Sequence, residues 1–223
     1  MQVVFVTIPS ECPPPPDRTR LREVALAHLA RFAATRHDLE QVLFRRVARW
    51  ERAALKAGVD RDDLTGKSEA LRDVIKEVAA DMVRLGAVND EDYARARARR
   101  LVRSGRSGKA VQAHLASHGV DAPLREAALE GAVESFSAQE TELAAALVLA
   151  RKRRLGPFAS LPRLNSRVTA QAEDDGPQAE QAMRHKALGV FARSGFGHDV
   201  ARRVLDMEAE EAEEWTERLR AES

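Results

Sequence analysis

The sequence predicts an all-α fold of tandem three-helix repeats stacked into an elongated, curved array. Three observations carry that expectation. Aromatic residues make up only 4% of the 223 positions and charged residues 32%, so a core must be built from Leu, Val and Ala, a composition that favours helices. Apolar residues recur at helical spacing through most of the chain. The segment HLASHGVDAPLREAAL at 114–129 returns as VFARSGFGHDVARRVL at 190–205, with Ala116 over Ala192, Gly119 over Gly195 and Leu129 over Leu205.

Residues 1–18 read as an extended, mobile leader, because Pro13, Pro14, Pro15 and Pro16 forbid a helix and lack amide donors. A first repeat is expected over 19–88. Leu21, Val24, Ala25, Leu29 and Phe32 mark one helix, and Leu39, Val42, Leu43, Val47 and Trp50 mark a second behind a cap at 35–38. GVDRDDLTGKS at 58–68 reads as an enlarged polar loop. A third helix then follows through Leu71, Val74, Ile75, Val78, Met82 and Leu85 to Gly86.

The second repeat spans 89–136. Asn89 caps a helix through Arg103, Gly105 and Gly108 break it, a shorter helix covers 109–118, and Asp121 with Pro123 opens another through Val133. The third repeat spans 137–207. Ser137 and Glu140 fit a capping box ahead of a helix from Leu143 to about Leu155, a long loop occupies 156–177, and helices follow at 180–194 and 198–207. An acidic tail, 208–223, closes the chain as a solvated extension of the last helix.

The two similar segments share one joint. Gly119 and Gly195 each stand where a helix ends on a left-handed residue, a conformation that a side chain resists. Val120 or Phe196 then folds back on the ended helix, as in a Schellman motif. Leu124 and Leu129, or Val200 and Leu205, face the core from the next helix.

Net charge is +1, from 36 basic and 35 acidic residues, but it is unevenly placed. From Asp206 onward eight acids oppose Arg218 and Arg220, which leaves the preceding 205 residues at about +7. Cys12 is the single cysteine and excludes an internal disulfide or a CxxC site. The opening MQVVFVTIPSECPPPP lacks a basic n-region, and Thr7 and Pro9 interrupt its apolar run, so neither a signal peptide nor a spanning helix is expected. A cytoplasmic protein is the expectation.

Motifs for catalysis are weak. TGKS at 65–68 resembles the end of a phosphate loop, but Arg61 stands where that loop needs its first glycine and the flanks are helical rather than a strand. His114 and His118 are i and i+4, yet they lack a third ligand and the glutamate of HExxH, so edge-of-core or solvent roles are expected. Nothing in the sequence assembles a Ser/His/Asp or Cys/His set. The expectation is a protein that is not an enzyme and needs no metal or cofactor.

YARARARRLVRSGRSGK at 93–109 holds Arg95, Arg97, Arg99, Arg100, Arg103, Arg106 and Lys109 without an acid. On a helix Ala94, Ala98, Leu101 and Val102 face inward while Arg95, Arg99 and Arg103 form a stripe on another side. Like charges four apart cost about 0.2–0.5 kcal/mol per pair, which a folded domain tolerates. The stripe is therefore either a solvated face or a grip for carboxylates or phosphates. Arg45, Arg46 and Arg49, and Arg151, Lys152, Arg153 and Arg154, extend it; each of these smaller clusters alone also fits a solvated helix face or end.

Three segments, in order, resemble the RecX regulatory proteins: LGAVNDEDYA at 85–94, VQAHLASHGVD at 111–121 and GFGHDVARRVL at 195–205. The resemblance covers roughly residues 21–207. It departs at Asn89, where an aspartate is usual, at Gly108 and Lys109 in place of Gly-Pro, at Gly197 in place of serine, and in the loops after Trp50 and Gly156. It implies tandem three-helix repeats and a non-enzymatic modulator of the RecA recombinase, usually an inhibitor, that lies along the groove of the RecA–DNA filament and can touch single- or double-stranded DNA.

The expected function is thus inhibition of RecA by a monomer, away from membranes. Its docking face would comprise Arg95, Arg99, Arg100, Arg103, Arg106 and Lys109, extended by Arg45 and Arg46 and by Arg151, Lys152, Arg153 and Arg154. The alternative is a DNA-binding regulator of helix-turn-helix type. The helix after Gly119 begins DAPLRE, however, and acids with a proline read bases poorly.

Overall fold

The computed structural model describes residues 13–159 and 176–221. The leader before Pro13 with Cys12, most of the loop expected at 156–177, and the last two residues lie outside the described residues. The chain divides into two compact units, Met1–Tyr93 and Ala94–Ser223. Every regular element among the described residues is helical, and the helices follow one another in tandem modules, as the periodicity predicts.

The first unit is built from α1 (Arg18–Leu29), α2 (Arg36–Lys56) and α3 (Arg61–Arg84), each in contact with the other two. Their starts are set by short polar side chains that accept otherwise orphaned amides. Asp17 accepts from Arg20 N at 2.7 Å, Thr35 from Asp38 N at 3.0 Å and Asp60 from Asp62 N at 2.8 Å. Leu21, Ala25, Leu39, Leu43, Ile75 and Met82 are fully removed from solvent and form the core with Val47, Trp50, Leu71 and Val78. Phe32 departs from its expected place: it lies beyond α1 and is 52% exposed.

Residues 58–68 also depart from expectation, because α3 begins at Arg61. Asp60 caps it, Asp62 and Asp63 complement the positive end of the helix, and Leu64 is buried one heptad before Leu71. Local polarity hid a helix whose buried anchor is a single leucine. TGKS lies within that helix, so its amides are not arranged as a phosphate loop.

A charged cluster ties α1 to α3. Asp81 is buried and accepts from Arg18 Nη2 at 2.8 Å, and it also pairs closely with Arg84. The hydrogen bond from Arg18 holds the Asp81 carboxyl below its ordinary range, against the opposing effect of burial, with the Arg84 charge adding to the depression. Ahead of α1, Pro16 is buried and the Pro13 carbonyl accepts from Trp50 Nε1 at 2.8 Å.

The second unit takes up α4 (Asp90–Arg103), within which the division between units falls, then α5 (Gly108–Ser117), α6 (Ala122–Glu130), α7 (Ala138–Arg153), a 3-10 turn (Gly156–Phe158), α8 (Gly176–Arg193), α9 (His198–Leu205) and α10 (Ala209–Ala221). The capping box forms in both directions: Glu140 N donates to Ser137 Oγ at 3.3 Å, and Ser137 N donates to Glu140 Oε2 at 2.8 Å. Behind it α7 buries Leu143, Ala144, Ala145, Ala146, Leu147 and Ala150. Small residues on much of its circumference let α9 and α10 both pack against it.

The joint read from the repeated segment is present twice. Gly119 has φ +74°, with Val120 N donating to Leu115 O at 3.1 Å; Gly195 has φ +87°, with Phe196 N donating to Phe191 O at 3.1 Å. Phe196 turns back on Phe191 edge to face, ring centroids 6.0 Å apart. The next helix buries Ala128 or Val204, which are equivalent positions, while Leu124, Leu129, Val200 and Leu205 are half-buried. Leu124, Leu129, Val200 and Leu205 therefore line the edge of the core rather than its centre.

The C-terminal segment corrects a further expectation. It is not a solvated prolongation of α9 but a separate helix, α10, which buries Ala212, Thr216 and Leu219 and packs on α7. Trp215 meets Phe136 edge to face at 5.8 Å, and the Arg218 guanidinium covers both rings. The last module thus has four helices.

Candidate partner-binding face

Helix α4 starts from Asn89, whose Oδ1 accepts from Glu91 N at 3.0 Å and Asp92 N at 3.2 Å. Asp90, Glu91 and Asp92 occupy its positive end, and Arg100 and Arg103 its negative end, an arrangement that favours the helix itself. At 100° per residue Ala94, Ala98 and Val102 fall on one side, and all three are buried. Arg95, Arg99 and Arg103 run along one flank of that buried stripe and Arg100 lies near the outer pole.

Arg95 and Arg100 are exposed, and so are Arg106 in the following loop and Lys109 at the start of α5. Arg99 and Arg103 are half-buried, and Arg99 Nη2 stands 3.7 Å from Glu134 Oε1 in a loose surface pair. Arg97 serves inside the unit: its Nε donates to His114 Nε2 at 2.8 Å, and the His114 ring lies 4.5 Å from that of His118. One nitrogen of His114 therefore already accepts a hydrogen bond. Among the described residues no group of His, Cys, Asp and Glu could hold a metal ion.

The basic run at the end of α7 divides. Arg151 is engaged within the unit, paired closely with Glu213 of α10 and stacked 5.0 Å over the Phe158 ring. Lys152 Nζ donates to Ser104 O at 2.8 Å, so the loop between Arg103 and Arg106 lies beside the end of α7. Arg153 and Arg154 are exposed, and Arg154 closes the helix with φ +54°. Two basic segments far apart in sequence thus adjoin in the second unit. In the first unit Arg45 is exposed, whereas Arg46 is half-buried beside Trp50 and the prolines.

Several side chains that hold this face in place carry no local sequence signal. Ser107 caps α5 and reaches Ser194, Gly105 approaches α7 so closely that a Cβ would lie 2.9 Å from Leu149 N, and Glu142 Oε2 accepts from Gly108 N at 2.7 Å. Burial raises the Glu142 carboxyl above its ordinary range, partly countered by the Gly108 amide. No helix among the described residues is long and apolar enough to cross a membrane.

Comparison with known proteins bears on the same segments. A family model described as RecX, second three-helix domain, matches residues 89–129, which are α4 to α6. The regulatory protein RecX of Myxococcus xanthus is 34% identical over 84% of this chain and 85% of its own length. Those of Corynebacterium efficiens and Agrobacterium fabrum are 32% and 28% identical, over 68% and 57% of this chain and 67% and 56% of theirs. No solved structure matches significantly. With the RecX three-helix domain on α4 to α6 and a relative aligned along most of both chains, this protein belongs to the RecX family, whose members are regulators and not enzymes.

Proposed function

We propose that this chain modulates the RecA recombinase, as an inhibitor, by seating its basic helical face in the groove of the RecA–DNA filament. Family membership supports the partner, and the exposure of Arg95, Arg100, Arg106 and Lys109 on and after α4 carries the choice of face. Guanidinium groups offer forked donors to carboxylates of the filament wall and to phosphates of its DNA. A body lodged across adjacent protomers hinders strand exchange and filament growth by occupying the path of the second DNA. Arg99 and Arg103 flank the same stripe, and Lys152, Arg153 and Arg154 border the loop that holds Arg106. Arg45 belongs to the proposed contact surface of the first unit. Arg151 holds α10 and contributes the least.

The test replaces Arg95, Arg99, Arg100 and Arg103 with Ala and measures strand exchange and co-sedimentation with a pre-formed RecA–single-stranded DNA filament across a salt series. Unchanged helicity, weaker inhibition and a shallower salt slope are the expected results. Full inhibition by the quadruple variant would remove this face from the proposal.

A further inference from the structure

The first unit contains a cleft of about 550 Å³ between the chain ahead of α1 and one side of α2. Pro13, Pro16 and Trp50 give it apolar walls, and Arg20, Arg46 and Arg49 give it three guanidinium groups. Arg46 and Arg49 are three residues apart on α2 and so share a face. We infer that this cleft is a binding site for a phosphate-bearing ligand of nucleotide size.

The charge of Arg46 and Arg49 is not balanced from within. Asp17 lines the cleft, but its Oδ1 already accepts from Arg20 N at the start of α1, and the Arg20 guanidinium is turned to Glu23 at 2.7 Å. Arg46 Nε is buried and has no hydrogen-bond partner among the described residues. A phosphate carries terminal oxygens that accept from Arg46 and Arg49 together, and charge-assisted forked contacts of this kind favour it. The volume lies within the range of small-molecule sites, and the proline rings provide an apolar surface for a base or sugar.

Trp50 lines the cleft and donates to Pro13 O, so it reports on occupancy. The chain has two tryptophans, Trp50 and Trp215, and Trp215→Phe leaves Trp50 as the sole emitter. In full-length W215F protein, titration with pyrophosphate and with dAMP is expected to change Trp50 emission saturably, while sodium chloride at matched ionic strength does not. Adding Arg49→Gln, an exposed position that leaves the fold intact, weakens the affinity about tenfold, the loss expected for one charge-assisted contact. Adding Arg46→Gln as well abolishes the change, with far-UV circular dichroism unaltered. A parallel titration with a single-stranded oligonucleotide separates the sources of phosphate: tighter binding per phosphate identifies the polymer, and equal binding a free nucleotide. Absence of a saturable change, an equal response to sodium chloride, or affinity unaffected by Arg49→Gln would overturn the assignment. None of these outcomes depends on RecA.

Discussion

Ser107 Oγ donates to the Ser194 carbonyl at 2.7 Å while accepting from Ala110 N at 3.2 Å. One buried hydroxyl therefore caps α5 and satisfies the last turn of α8, 87 residues away in sequence. Ser107→Ala removes a helix cap, worth about 1 kcal/mol, and leaves a carbonyl unsatisfied at a further cost of about 1–2 kcal/mol. Urea denaturation is expected to show a loss of about 2–3 kcal/mol. A loss below about 1 kcal/mol would mean that the contact is not made in solution.

Gly195 faces the same hydroxyl. A Cβ there would lie 2.7 Å from Ser107 Oγ, on a backbone with φ +87°. Gly195→Ala meets both the left-handed penalty, about 1–2 kcal/mol, and a clash. Gly58 has φ +88° but nothing within 4 Å of an added Cβ, so Gly58→Ala meets only the former. The first substitution should cost more than the second, and its excess should shrink in a Ser107→Ala background. Denaturation of the four variants forms a cycle that reads the coupling directly. Additive losses in that cycle would show that the clash is absent.

Gly197 offers the opposite sign. It caps α9 with φ −66° and ψ 152°, makes no side-chain hydrogen bond, and has open space around its Cα. Serine fits that backbone, supplies the missing acceptor and restricts the unfolded chain. Gly197→Ser is therefore expected to raise stability by about 0.5–1 kcal/mol, visible as a higher thermal midpoint. An unchanged or lower midpoint would show that a hydroxyl cannot cap α9 there.

Glu142 links stability to pH. Burial raises its folded carboxyl above the ordinary value, so the folded state prefers the proton. Its contribution to stability is full below the unfolded value and declines as pH rises through the raised folded one. Glu142→Gln keeps an oxygen that accepts from Gly108 N but cannot ionise. The variant should match the native protein in acid and exceed it at neutral pH, as measured by denaturation at a series of pH values. A native profile that is flat across the weakly acidic range would contradict this account.

What the sequence determined by itself is the set of features written within about one helical turn. Thr35, Asn89, Asp121 and Ser137 are placed by proximity to the amides they cap, and Gly119 and Gly195 by the turn they close. These signals survive without tertiary context because both partners lie within three to six residues of each other. Tertiary structure decided the rest, because its contacts join residues that the order of the chain does not relate. Leu64 alone anchors a polar stretch as helix, Ala212 and Leu219 turn an acidic tail into a packed helix, and Ser107 finds Ser194. The same holds for the arginines. Charge pattern marks Arg95 in the main stripe and Arg151 in its extension, and only packing shows that one is exposed on α4 while the other is held between Glu213 and Phe158. A guanidinium's role depends on which carboxylate or ring the fold brings beside it, and that proximity is a property of the packed chain.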